Sequence, residues 1–209
     1  VAGSREEGIR AARDAFYRGE IAERMIDFCK QEGGYLTLDD LSEFAVKIEL
    51  PEKGLYKGHE VLTCGPWCQG PVLIQLLNLV EQLDLTGMGH NSIEYVHTLT
   101  EATKLAFADR EAYYGDPEFV KVPMRELLSK GYAAGRARLI DSSRASPEMP
   151  PAGDPMCLGN LKPTAPEPDG GQGVFWEADT SYTCVVDRWG NAFSSTPSDP
   201  QLGTPLVPG

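Results

Sequence analysis

The chain has 209 residues, 41% apolar and 24% charged, a globular composition with room for one large domain or two small ones. Its net charge of −12 argues against nucleic acid or an anionic membrane surface as a partner. No run approaches the roughly 18 apolar residues of a membrane span, and five scattered cysteines exclude a disulfide scaffold.

The first third reads as helical. Ser4 with Glu7 three residues later forms a capping-box pattern, and the helix it opens should run to about Arg18, where Gly19 interrupts it. A second helix is expected from Glu20 to about Glu32, with Ile21, Met25 and Phe28 on its buried stripe and Gly33-Gly34 as its stop. Thr37-Leu38-Asp39-Asp40-Leu41 predicts a short capped helix. Val46 to Leu50 alternates apolar and polar residues, predicting a half-buried strand ended by Pro51. Leu55-Tyr56 and Val61-Leu62-Thr63 flank the turn Lys57-Gly58-His59-Glu60 and read as a hairpin.

The loop Cys64-Gly65-Pro66-Trp67-Cys68-Gln69-Gly70-Pro71 should feed a helix from Val72 to about Gln82, Pro71 suiting its first turn. A longer helix spans about Ser92 to Tyr114, with Val96, Leu99, Thr103, Ala106 and Phe107 on its apolar stripe and Glu94, Glu101, Lys104 and Glu111 elsewhere. A shorter one covers Tyr132 to Ile140. From Ala145 to Gly173 prolines and glycines abound and no period survives, as in an irregular linker. A structureless run of that length within a compact domain is expected to be functional or cut. Strand composition then returns: Thr180 to Asp187, the turn Arg188-Trp189-Gly190-Asn191, and Ala192 to Thr196. Two strands cannot bury a face alone, so further strands are expected beyond Gly209. This divides the chain into a helical region with a short hairpin (1–144), a Pro/Gly-rich linker (145–179) and the start of a sheet (180–209).

Thr180 carries the chemistry of greatest interest. A flexible run ending in a strand that opens with Thr is how a self-cleaving N-terminal-nucleophile hydrolase is written, because cleavage before the Thr supplies its hydroxyl with a base, the new α-amino group. The plain alternative is a Thr that merely opens a strand. A paired second strand would bring its hydroxyl-rich end, Ser194-Ser195-Thr196-Pro197-Ser198, near Thr180. Three residues intervene between Cys64 and Cys68 rather than the two of a thioredoxin-type motif, and both are read as small buried residues of a tight loop. His59, His90 and His97 are scattered, with His97 on a solvated helix face. No metal or cofactor site emerges. Arg110 is either buried against a carboxylate or marks the edge of its helix's stripe.

Several segments resemble the γ-glutamyltranspeptidase (glutathione hydrolase) family: residues 15–41, Leu73-Ile74-Gln75-Leu76-Leu77-Asn78, His90-Asn91-Ser92, Glu101 through Arg110, Gly115-Asp116-Pro117, and the Asp179-Thr180 junction with Val185-Val186-Asp187 and Gly190-Asn191. The resemblance covers nearly the whole chain. It implies an α+β fold, part of an αββα N-terminal-nucleophile sandwich, cleaved between Asp179 and Thr180 into large and small subunits. Thr180 matches the nucleophile and Ser198 a hydroxyl residue that assists it. Asp199 is the candidate contact for the substrate's α-ammonium, and Pro200 stands where the transpeptidases carry an Asn, a departure that favours an acylase-like branch. The implied activity is hydrolysis or acyl transfer of γ-glutamyl or similar amides, to water or an amine, with no cofactor. The family's substrate-carboxylate Arg and oxyanion-hole residues are expected upstream of Val1 and downstream of Gly209, so the rest of the polypeptide is an expected partner and these 209 residues alone are expected to be inactive. The rival readings are a non-catalytic family member and a helical interaction domain with a disordered tail.

Overall fold

Capping, turn chemistry and small-residue packing account for most of the architecture in the computed structural model, which describes residues 3–157 and 181–196. The described residues up to Ile48 and from 181 onward fall in one compact unit, and those from Glu49 through 157 in another.

In the first unit, α1 (Arg5–Tyr17) begins at the expected capping box: Glu7 N donates to Ser4 Oγ at 3.2 Å and Ser4 N to Glu7 Oε2 at 2.9 Å. α2 (Glu20–Gln31) ends at Gly33, whose φ of 76° suits glycine, and Gly34 N returns to Cys29 O at 2.8 Å. The buried residues of α2 are Ala22 and Ile26, flanked by half-buried Met25, Phe28 and Cys29; of the expected stripe Ile21 departs, being exposed. α3 (Leu38–Glu43) carries a second capping box, from Thr37 and Asp40. Arg18 donates to Ser42 O and Arg13 to Phe44 O, while Tyr17 stacks on Phe44 at 5.6 Å between ring centroids, fixing α1 against the end of α3.

The strand expected at Val46 to Leu50 does not form. Val46, Ile48 and Leu50 lie almost fully in solvent, and no neighbouring strand among the described residues satisfies their backbone. Alternation supplied a face but no ladder to bind it.

The second unit is built on α4 (Gly70–Val80). The hairpin of β1 (Glu52–Tyr56) and β2 (His59–Thr63) packs on it, turning at Lys57-Gly58 with φ of 46° and 84°, the paired positive values of a type I′ turn. Gly54 lies where β1 meets α4: a Cβ there would come within 2.5 Å of Ile74 Cγ2. α5 (Leu85–Met88) leads to α6 (Ile93–Tyr113), capped by Ser92 Oγ accepting from Tyr95 N at 3.0 Å. α7 (Met124–Leu127) and α8 (Lys130–Ala137) close the unit. Val72, Leu79 and Val80 of α4 pack against Ala102, Leu105 and Ala106 of α6 and Ala133 and Ala137 of α8, the alanines allowing close helix approach.

These alanines shift the buried face of α6. Thr98, Glu101, Ala102, Leu105, Ala106, Ala108 and Asp109 are buried, whereas Val96 is exposed, so the expected stripe through Val96 is rotated and Glu101 faces inward. Glu101 is held by Lys104 Nζ at 2.7 Å and by Ser146 N at 3.3 Å. Burial opposes its charge, but these donors prevail and hold it below the ordinary carboxylate value.

The described start of the 145–173 run is not loose. Ala152, Gly153, Asp154 and Pro155 are buried, and a short 3-10 turn spans Pro155–Cys157. At the far end, β3 (Thr183–Val186) and β4 (Ala192–Ser195) form the expected antiparallel hairpin. The fold class is α+β, mostly helical, as the sequence implies.

Candidate active site

Asp187, Gly190 and Asn191 fold the β3–β4 turn. The Asp187 carboxylate accepts from Trp189 N and Asn191 N, both at 2.9 Å, and from Asn191 Nδ2 at 2.8 Å, while Gly190 supplies a φ of 84°. These donors, Asn191's side chain first, hold the Asp187 carboxyl below its usual range. The hairpin register pairs Thr183 with Ser195, Cys184 with Ser194, Val185 with Phe193 and Val186 with Ala192. Ser194 Oγ donates to Tyr182 Oη at 3.1 Å, a diagonal contact that puts two hydroxyls on one face. Val185, Val186 and Phe193 are more than half exposed, so this ribbon presents uncovered apolar side chains.

Four of the expected site positions, Asp179, Thr180, Ser198 and Asp199, lie outside the described residues, as does Pro200.

The second unit holds a buried polar network that the sequence reading missed. Asp109, on α6, accepts from Gly153 N at 2.9 Å and Gln75 Nε2 at 3.3 Å, and pairs with Arg136 of α8 at 3.1 Å. Arg136 Nη2 also donates to Leu105 O and Pro151 O. Tyr113 Oη donates to Gly153 O at 2.7 Å, so the Gly153 backbone is held at both its N–H and its carbonyl. Tyr114 Oη donates to Gln75 Oε1 at 2.5 Å. A Cβ on Gly153 would collide with the Tyr132 hydroxyl and Arg136 Cδ, so only glycine fits. Burial pushes the Asp109 carboxyl up against the pull of Arg136, and pushes the phenols of Tyr113, Tyr114 and Tyr132 up as well. The network is tightly packed and has no room for a ligand; its effect is to anchor residues 151–154 at the head of the segment that runs toward Thr180. The only sequence signal for it is the spacing Ala102, Leu105, Asp109, which puts the aspartate on the buried face.

Around the α4 N-terminus, a cleft of about 390 Å³ is lined by Glu49, Leu50, Pro51, Leu62, Thr63, Cys64, Gly65 and Trp67. A second, of about 310 Å³, lies between Pro66, Trp67, Cys68 and Gln69 on one side and Arg110, Glu111, Tyr114 and Gly115 on the other. Arg110 donates to Gln69 Oε1 at 2.5 Å, pairs with Glu111, and lies over the Phe107 ring at 4.4 Å. It therefore marks the edge of the helix stripe. His97, expected to be solvated, is half-buried with its Nε2 at 2.8 Å from Asp141 O. The expected buried state of the cysteine pair is also corrected: Cys64 is exposed and Cys68 half-buried. Among the described residues no group of His, Cys, Asp and Glu has metal-binding geometry, and no helix is long and apolar enough to cross a membrane.

The family model described as gamma-glutamyltranspeptidase matches residues 5–207. The glutathione hydrolase proenzyme of Escherichia coli (strain K12) is 34% identical over 200 residues, covering 94% of this chain and 31% of the relative. The acylase ACY 1 proenzyme of Pseudomonas sp. (strain SE83) is 33% identical over 184 residues, covering 88% of this chain and 29% of the relative. The crystal structure of Helicobacter pylori gamma-glutamyltranspeptidase superposes with a TM-score of 0.62 at 34% identity, over 68% of this chain and 42% of that one. The chain thus spans about a third of the length of these curated relatives. With a family model matched over nearly its whole length and relatives above 30% identity across most of it, the chain belongs to the γ-glutamyltranspeptidase family.

Proposed function

We propose that the complete protein is an amide hydrolase and acyltransferase acting on γ-glutamyl or related acyl amides, activated by cleavage between Asp179 and Thr180. The observation that carries this reading is the family match over residues 5–207, which takes in Asp179, Thr180 and Ser198, beside the β3–β4 hairpin that follows Thr180 in the chain. Thr180 lies three residues before Thr183, and Ser198 three after Ser195, the paired residues that open the ladder. The described end of that hairpin bears the Tyr182–Ser194 hydroxyl pair, Tyr182 lying two residues along the chain from Thr180. Thr180 Oγ would attack the substrate carbonyl while its own α-amine takes the hydroxyl proton. The amine then protonates the leaving nitrogen, leaving an acyl-enzyme that water or an amine acceptor resolves. Ser198 would orient the nucleophile, and Asp199 would meet a substrate ammonium. The anchored Gly153 segment fixes the upstream end of the stretch leading to the scissile bond. The acylase relative and Pro200 favour a donor range broader than glutathione.

Mutation of the nucleophile tests this. Thr180→Ala in the complete protein is expected to lower kcat/KM on a γ-glutamyl anilide by at least about a thousandfold and to leave the chain uncut, while Thr180→Ser keeps part of both. A Thr180→Ala protein that is still cleaved and active would put the nucleophile elsewhere.

A further inference from the structure

The loop between β2 and α4 closes on itself. A Cβ at Gly70 would lie 2.8 Å from Thr63 Cβ, 2.9 Å from Cys64 O and 3.0 Å from Cys64 N, so the two ends of the loop touch. Cys68 N donates to Gly65 O at 3.2 Å, turning the chain back, and Gly70 N approaches Cys68 Sγ at 3.5 Å. Cys64 and Cys68 therefore sit on one small closed turn. Cys64 is exposed, Cys68 is half-buried, and both are free thiols. The neighbouring Cys68 pushes the Cys64 thiol above its ordinary value. Apolar burial does not explain an exposed cysteine at this position, and nothing in the proposed amide chemistry uses either thiol.

We propose that Cys64 and Cys68 form a reversible dithiol–disulfide site, oxidised by a small-molecule disulfide. The exposed Cys64 sulfur, as thiolate, attacks one sulfur of the reagent; the reagent's S–S bond breaks and one thiol leaves with a proton. The Cys68 thiolate then attacks the Cys64 sulfur of the mixed disulfide and expels the second thiol. Two protein thiols are oxidised by two electrons, and one reagent disulfide is reduced to two thiols. Either order of attack gives the same product. The bridge closes a ring through Gly65, Pro66 and Trp67 and fixes Trp67, which lines both clefts and donates to Glu49 Oε2 at 2.8 Å.

The test uses the complete protein, 2-hydroxyethyl disulfide as oxidant, alkylation of remaining thiols, and mass analysis of the tryptic peptide Gly58 to Lys104, which holds these two cysteines and no other. The expected product is a peptide lighter by two hydrogens, free of alkyl groups and restored by a phosphine reductant. Cys64→Ser should abolish that species and leave Cys68 as a mixed disulfide or alkylated. If the wild-type peptide instead carries two separate mercaptoethanol adducts, or stays alkylatable while Cys157 and Cys184 react, the proposal is overturned.

Discussion

Asp109 and Arg136 are both about 1% exposed, and their charges can persist there only because each meets the other. Removing one partner strands the other charge in the core, and Arg136 already carries Nε and Nη1 without hydrogen-bond partners among the described residues. Asp109→Asn should therefore destabilise the protein by about 3–5 kcal/mol, read from urea unfolding. By contrast Glu60→Gln, which breaks the exposed Lys53–Glu60 pair at 3.6 Å, should change stability by less than about 1 kcal/mol. Equal effects would show that the network does not behave as a buried ion pair. Sequence periodicity alone cannot find such a pair. Alanines at 102, 106 and 108 carry little hydrophobic weight, so the apparent stripe drifted toward Val96 and Phe107 and hid both Glu101 and Asp109.

At the level of elements, the contact between β1 and α4 depends on the missing side chain of Gly54. Ile74 is 1% exposed and cannot swing away, so Gly54→Ala should cost about 1–3 kcal/mol through overpacking, with a lower Tm as the readout. A neutral substitution would mean that the hairpin can lift off the helix. The same junction carries a pH dependence. Glu81, at the end of α4, pairs with Lys130 of α8 and accepts from Lys57 N at 2.8 Å; the Lys130 hydrogen bond is the main reason its carboxyl sits below the ordinary value of 4.5. A depressed carboxyl stabilises the fold above its unfolded value, and that contribution is lost as pH falls through the folded value. Tm should therefore drop less steeply below pH 4.5 in Glu81→Gln than in the wild type. An unchanged slope would remove Glu81 as a contributor. Caps and turns were legible because they act within a few residues: Ser4, Thr37, Lys57-Gly58 and Asp187 through Asn191 all fold as their chemistry dictates. The segment Val46 to Leu50 shows the limit of that logic, since a strand also needs a partner, and local alternation does not supply one.

For the molecule as a whole, family membership rests on motifs spread from α1 to the β3–β4 turn and on matched relatives, whereas composition and charge mainly exclude alternatives. The expected site was reached in another way. Thr180 stood out as a Thr opening a strand after a Pro/Gly-rich run, Ser198 and Asp199 came from resemblance alone, and all three lie outside the described residues. Burial could not have revealed them, because the described part of the hairpin is exposed on both strands and carries no core signal. The central claim is that Thr180 becomes a chain terminus. Intact mass of the complete protein after incubation at neutral pH, with N-terminal sequencing of the smaller product, tests it most directly. The account predicts two chains, the smaller beginning Thr180-Ser181-Tyr182-Thr183-Cys184. One uncut chain, or a cut at any other bond, would contradict it.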